Sequence, residues 1–189
     1  GPTSGANANK VIIPAGQTLE LTEGVALPSG TTLPAGVGGK LLQLQSTTKT
    51  DTFSYSGSSF TDVTGLSVSI TPSSTSSKIF VQASVSMAGP GSGNDGAFRL
   101  MRDSTAIGIA DAIGPRTRAT FAGFIRNEYE LSSGGGSFLD SPSTTSAVTY
   151  KVQMKASGNT LFVNRTSNFD EAHTCELGIS TITVMEIAG

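Results

Sequence analysis

From Gly39 onward, apolar and polar residues alternate with a period of two. Leu66, Val68 and Ile70 alternate with serines. Ile79, Val81, Ala83, Val85 and Met87 extend the pattern over a long segment. Val148, Tyr150, Val152 and Met154 form the cleanest alternation in the chain. Shorter apolar sets occur at Leu41, Leu42 and Leu44, at Phe53 and Tyr55, at Phe98 and Leu100, and at Ile107 and Ile109. Others follow at Phe121, Phe124 and Ile125, at Leu161 and Val163, and at Ile179, Ile182, Val184 and Ile187. Successive strand side chains point to opposite faces, so each set predicts a strand with one buried face. About nine or ten strands follow, and no window shows a useful helical stripe. Runs rich in Ser, Gly, Pro and Asn separate them at residues 71–77, 89–96, 132–136 and 168–173, and these read as turns. Many strands with closely spaced turns predict an all-β antiparallel sandwich, and about 150 residues suit a jelly-roll-like one.

The first 39 residues behave differently. Ile13-Pro14-Ala15-Gly16-Gln17-Thr18-Leu19 is echoed by Leu27-Pro28-Ser29-Gly30-Thr31-Thr32-Leu33, and a truncated copy follows as Leu33-Pro34-Ala35-Gly36. Proline and glycine exclude a helix and favour extended chain with turns. Val11, Ile12, Ile13, Leu19, Leu21, Val25, Leu27 and Leu33 need burial that one extended strand cannot supply. The segment is either a disordered leader or a strand that winds around copies of itself. A flexible linker would be more polar, which favours the intertwined fibre shaft. Gly1-Pro2 has the form of a fusion-tag protease scar. The expected organisation is therefore residues 1–2 as scar, 3–39 as shaft and 40–189 as a β-sandwich tip domain, the whole being a fragment of something longer.

Composition supports the all-β reading. Charged residues are only 14% of the chain, against about 25% in typical domains, while Ser, Thr and Gly are abundant. The net charge of −2 supplies no attraction to nucleic acid or an anionic membrane. Cys175 is the only cysteine, so no disulfide can form within the chain. No apolar run reaches the 18 residues of a membrane span, and no signal peptide is visible.

Several body segments carry a resemblance. Lys49-Thr50-Asp51-Thr52-Phe53-Ser54 and residues 60–79, which contain Thr64-Gly65-Leu66-Ser67-Val68-Ser69-Ile70-Thr71-Pro72, resemble a module of tail fibre and other virion structural proteins of bacteriophages. Residues 137–153 and the ending Ser180-Thr181-Ile182-Thr183-Val184-Met185-Glu186-Ile187 are similar to the same module, and residues 9–19 to the segment that often precedes it. The resemblance covers most of the chain. It implies a homotrimeric fibre end in the virion, made in the host cytoplasm and joined to upstream fibre proteins. Such an end would bind a host cell-surface glycan or outer-membrane receptor. The resemblance implies no catalytic residues and no cofactor. Similar fibre-like trimers also occur as bacterial adhesins.

Candidate chemistry is sparse. His173 and Cys175 cannot complete a zinc site from one chain, because such a site needs three or four ligands; His173 reads as a loop residue. A Ser-His-Asp triad would depend on that same histidine, and no nucleophile elbow is present. Paired carboxylates could cut polysaccharide. The candidates are Asp95, Asp103, Asp111, Glu128, Glu130, Asp140, Asp170 and Glu171, with Glu128 and Glu130 on one strand face; solvated acids at an edge are the plainer reading. Asp140 reads as a turn residue bonding the local backbone. Residues 134–136 lack the Lys-Ser/Thr ending of a phosphate loop. Asn164-Arg165-Thr166 matches a glycosylation sequon, without meaning in a protein made in a bacterium. Arg99, Arg102, Arg116, Arg118 and Arg126 could touch anionic lipopolysaccharide, but pairing with Asp103, Asp111 and Glu128 is the simpler expectation. A trimer interface would draw on residues 41–44 and 121–125.

The expected function is thus a non-enzymatic, receptor-binding fibre tip with no metal or cofactor and no membrane insertion. A depolymerase with a carboxylate site between subunits, a bacterial adhesin and a receptor-less spacer are the alternatives. Binding should fall on the loops at residues 89–96, 130–137 and 167–173. Asn94, Asp95, Tyr129, Asn168, Phe169, Asp170 and His173 are the side chains there that could hydrogen-bond to a glycan or stack on it.

Overall fold

The computed structural model describes residues 40–91, 94–125, 128–169 and 175–189, without the side chains of 94, 95, 124 and 125. These residues belong to one unit, Gly38–Gly189. The shaft expected at residues 3–39 lies outside them. Eleven strands follow in order: β1 (Leu41–Lys49), β2 (Phe53–Tyr55), β3 (Thr61–Ile70), β4 (Lys78–Ala88), β5 (Asn94–Arg102), β6 (Thr105–Ile107), β7 (Phe121–Ile125), β8 (Ser132–Asp140), β9 (Val148–Ala156), β10 (Leu161–Val163) and β11 (Ser180–Ile187). No helix occurs among the described residues, and so none is long and apolar enough to cross a membrane.

The strands form two antiparallel sheets in a sandwich. β4 is central to the first sheet. β8 pairs along it from Ile79 to Met87. β11 and β10 share its other edge end to end, β11 against residues 78–84 and β10 against Met87 and Ala88. β1 and β2 continue outward from β11 and β10, so six strands occupy four columns. In the second sheet β3, β9 and β5 lie side by side, and β6 and β7 share the outer edge of β5.

The alternation seen in the sequence becomes the core. Leu66, Ile79, Val81, Val85, Phe98, Leu100, Tyr150, Val152, Met154, Val163, Ile182 and Val184 are fully enclosed between the sheets. Burying each such side chain stabilises the fold by roughly 1.5–3 kcal/mol before chain entropy is counted. The sandwich closes where β1 meets β3 on one side and β7 meets β8 on the other. Phe121 of β7 packs on this core, its ring stacked on Phe98 with centroids 5.1 Å apart.

Two sequence expectations need correction. Residues 132–136 are no turn; they are the first half of β8. Gly134 and Gly136 face inward, where an added Cβ would meet Met87 Cε at 2.7 Å and Thr120 Cγ2 at 2.9 Å. The glycines allow a close approach of neighbouring side chains, a use that mimics a turn signal in sequence. Asp140 does not bond the local backbone either. It is buried and accepts both oxygens' bonds from Arg102 Nη1 at 2.9 Å, plus one from the Tyr150 hydroxyl at 2.7 Å. This cluster ties the first sheet to the second. Burial, then the bond to Asp140 and its charge, push the Tyr150 phenol far above its ordinary range, so it stays a donor.

Candidate ligand-binding site

The two ends of the sandwich differ. At one end Leu41 of β1 pairs with Ile187, which pairs with Lys78 at the start of β4. At the other end, about 33 Å along β4 at 3.3 Å per residue, Met87 and Ala88 meet β10, Ser132 opens β8, and Asn94 opens β5 opposite Ile125. The connections after β4, β7 and β10 therefore converge at the end remote from Leu41.

Between β10 and β11 the chain leaves the sheet and returns, and Asn164 closes the neck of this excursion. Its side chain is fully buried. Nδ2 donates to the carbonyls of Lys49 (2.8 Å) and Asp51 (2.9 Å), and Oδ1 accepts from Ser180 Oγ at 2.6 Å. Its backbone N–H donates to Ser86 O, and its carbonyl accepts from Gly178 N. A φ of 64° places it in the left-handed region, which asparagine tolerates better than most residues. The sequon match thus marks a structural amide, since a glycan has no room on a nitrogen held by two enclosed carbonyls.

Arg165 follows at once, bridged to Leu177 across the neck. Its Cζ lies 4.1 Å from the Phe162 ring centroid and 5.1 Å from that of Phe169. Thr52, Phe53, Ser54, Arg165 and Phe169 line an open concavity of about 490 Å³. Phe169 is 52% exposed there. Phe162, beneath the Arg165 guanidinium, pairs with Ser54 of the lining on one side and with Ala88 on the other.

The predicted contact residues are partly brought together. Asn168 N–H donates to Glu128 O at 3.0 Å, which joins the segment carrying Phe169 to that carrying Tyr129. Tyr129 is also exposed. The Asn168 carbonyl accepts from Thr166 Oγ1 and Cys175 Sγ, so its backbone is structural. Asn94 and Asp95 are not loop residues: their backbones open β5, paired with Ile125 and Phe124. Asp170 and His173 lie outside the described residues. Glu128 and Glu130 share no strand face, because β8 begins only at Ser132. Among the described residues no three His, Cys, Asp or Glu gather as metal ligands would.

The arginines resolve individually. Arg102 pairs with Asp140 and not with Asp103, Asp111 or Glu128. Arg99 stacks on Phe60 and donates twice to Gln153 Oε1. Arg116 and Arg118 bond backbone carbonyls of Ile113 and Ala110, and Arg126 is outside the described residues. Sequence reasoning missed Arg165 and the concavity, whose only signal was an arginine beside two phenylalanines in a loop-flanked segment. Compared with known proteins, the chain matches no family model, and no curated protein is similar to it.

Proposed function

We propose that this chain is part of a homotrimeric phage tail fibre, a non-enzymatic tip that attaches the particle to a host cell surface. The reading rests on the opposition of the two ends. The preceding 39 residues, with their Pro-x-Gly repeats, join the domain at the Leu41 end, and three connections converge at the far end. A stalk belongs at the first and a receptor at the second. The strand order, β1-β11-β4-β8 in one sheet and β3-β9-β5-β7 in the other, supports reading the sandwich as a jelly roll, an architecture found among viral and lectin domains. Fold alone assigns no function, so the order of the ends carries the argument.

The outer face of the first sheet supports self-association. Leu44, Met185, Phe80 and Leu139 are cross-strand neighbours on four adjacent strands, and Leu44 and Leu139 are half-exposed. Leu41 and Ile187 extend this apolar row. The outer face of the second sheet instead carries Arg99, Gln153, Asp62 and Lys151 in one hydrogen-bonded set. Light scattering on the full chain and on one starting at Gly39 tests the reading. Three chains in the full protein, with loss of trimer or of heat stability in the shorter one, is the expected result. A monomeric full chain, or one that fails to compete with intact particles for host cells, would sink it.

A further inference from the structure

We infer that the Arg165 concavity binds a carboxylate-bearing sugar. Each of the other described arginines has at least one guanidinium donor engaged by Asp140, Gln153 or a backbone carbonyl. Apart from the backbone bridge to Leu177, the Arg165 guanidinium makes no hydrogen bond and no ion pair among the described residues; it is held over the rings of Phe162 and Phe169. Stacking fixes the plane and leaves the N–H edge free. A guanidinium fixed in plane with free edge donors is preorganised for a bidentate contact with a planar carboxylate. The ordering cost is met before the ligand arrives.

The rest of the lining selects what carries that carboxylate. Phe169 offers an exposed ring face with negative quadrupole, suited to the C–H face of a sugar ring. Thr52 and Ser54 supply hydroxyls that both donate and accept, matching sugar hydroxyls. The volume of about 490 Å³ falls within the range of small-ligand sites, about 300–1,000 Å³. An open site of this kind binds weakly, and three copies on one stalk would raise avidity. The inference deepens the attachment reading and rests on it only for where the sugar is found.

The test is titration of the full chain, followed by NMR or calorimetry, with a glucuronic-acid-terminated disaccharide, its glucose analogue and inorganic phosphate. The acidic disaccharide should bind at least tenfold more tightly than either competitor. Arg165→Gln should abolish the preference for the acid, and Phe169→Ala should weaken both sugars. Arg165→Lys keeps the charge but lacks the fork, and should retain only a small part of the preference. Equal binding of acid and neutral sugar overturns the proposal, as does phosphate binding as tightly as the disaccharide. So does an Arg165→Gln variant that changes the mass of the assembly and leaves sugar affinity intact, because Arg165 would then be an interface residue. Sugar binding without attachment to cells would count against the fibre reading and leave this site standing.

Discussion

Glu186 sits at an inward position of β11 with no exposed surface, yet it carries no lysine or arginine partner among the described residues. Its oxygens are met by three neutral donors: Gln43 Nε2 at 2.6 Å, Ser73 N at 2.7 Å and Ser73 Oγ at 2.6 Å. Burial pushes its carboxyl upward, but bonds from the Ser73 hydroxyl, the Gln43 amide and the Ser73 backbone outweigh that and hold it at about 2, below an ordinary 4.5. A carboxylate whose folded value is depressed stabilises the fold fully above its unfolded value. That contribution is lost as pH falls from 4.5 through about 2. Glu186→Gln should therefore lower stability at neutral pH by about 2 kcal/mol, the scale of a hydrogen bond to a buried charge. The deficit should shrink between pH 4.5 and 2 as the parent protonates. Urea unfolding across that range measures it; a deficit that stays constant would mean that the glutamine acts through shape and not through charge.

At the scale of elements, Asn164 does for the β10–β11 connection what Glu186 does for the connection between β3 and β4. Each ties a connection to the first sheet by pairing backbone polar groups there: Asn164 donates to the carbonyls of Lys49 and Asp51 where β1 gives way to β2, and Glu186 accepts from the Ser73 N–H. Asn164→Ala removes three side-chain bonds and puts a Cβ-bearing residue without compensation at a φ of 64°. The expected loss is about 3 kcal/mol, from stranded carbonyls and backbone strain together. Asn164→Gly loses the same bonds but not the strain, and should recover about 1 kcal/mol of that by urea midpoint. Equal losses for the two would remove the backbone term.

The same elements mark how far the sequence could be read. β3, β4 and β9 were legible because one face of each is buried along nearly its whole length, and burial writes a period of two. β8 was not, because the inward positions of its first half are Ser132, Gly134 and Gly136, small residues that let Met87 and Phe121 come close. β2, β6 and β10 have three residues each, too short to show a period. Phe169 and Tyr129 were legible as exposed aromatics in loops. Arg165 was not: Phe162 and Phe169 stand three and four residues away, but their rings meet the guanidinium only because the chain turns out of β10 at Asn164, and the sequence does not announce that turn.

The whole molecule poses a question of faces. The four columns of the first sheet, at about 4.8 Å spacing and about 3.3 Å per residue, present an outer area on the order of 500 Å². At the Leu41 end this area is apolar except for Lys78, which continues the row of Leu41 and Ile187. Further along come uncharged rows such as Ser46, Thr183, Gln82 and Ser137. A symmetric assembly sets a patch against copies of itself, so a strongly charged patch would repel its partner; these rows carry no such charge. Each protomer of a stable interface contributes about 800 Å², so the proposed trimer would need more surface than this sheet face alone. Leu44→Asp together with Leu139→Asp separates assembly from folding. In one isolated chain the two positions are 49% and 51% exposed, so the charges should cost the lone domain less than about 1 kcal/mol. In the proposed trimer they would be enclosed without a partner, at several kcal/mol per site. The double variant should therefore run as a monomer in light scattering, while a monomeric domain keeps its β-sheet circular dichroism and a cooperative melt. A double variant that still weighs three chains would move the interface off this sheet and onto the leader alone.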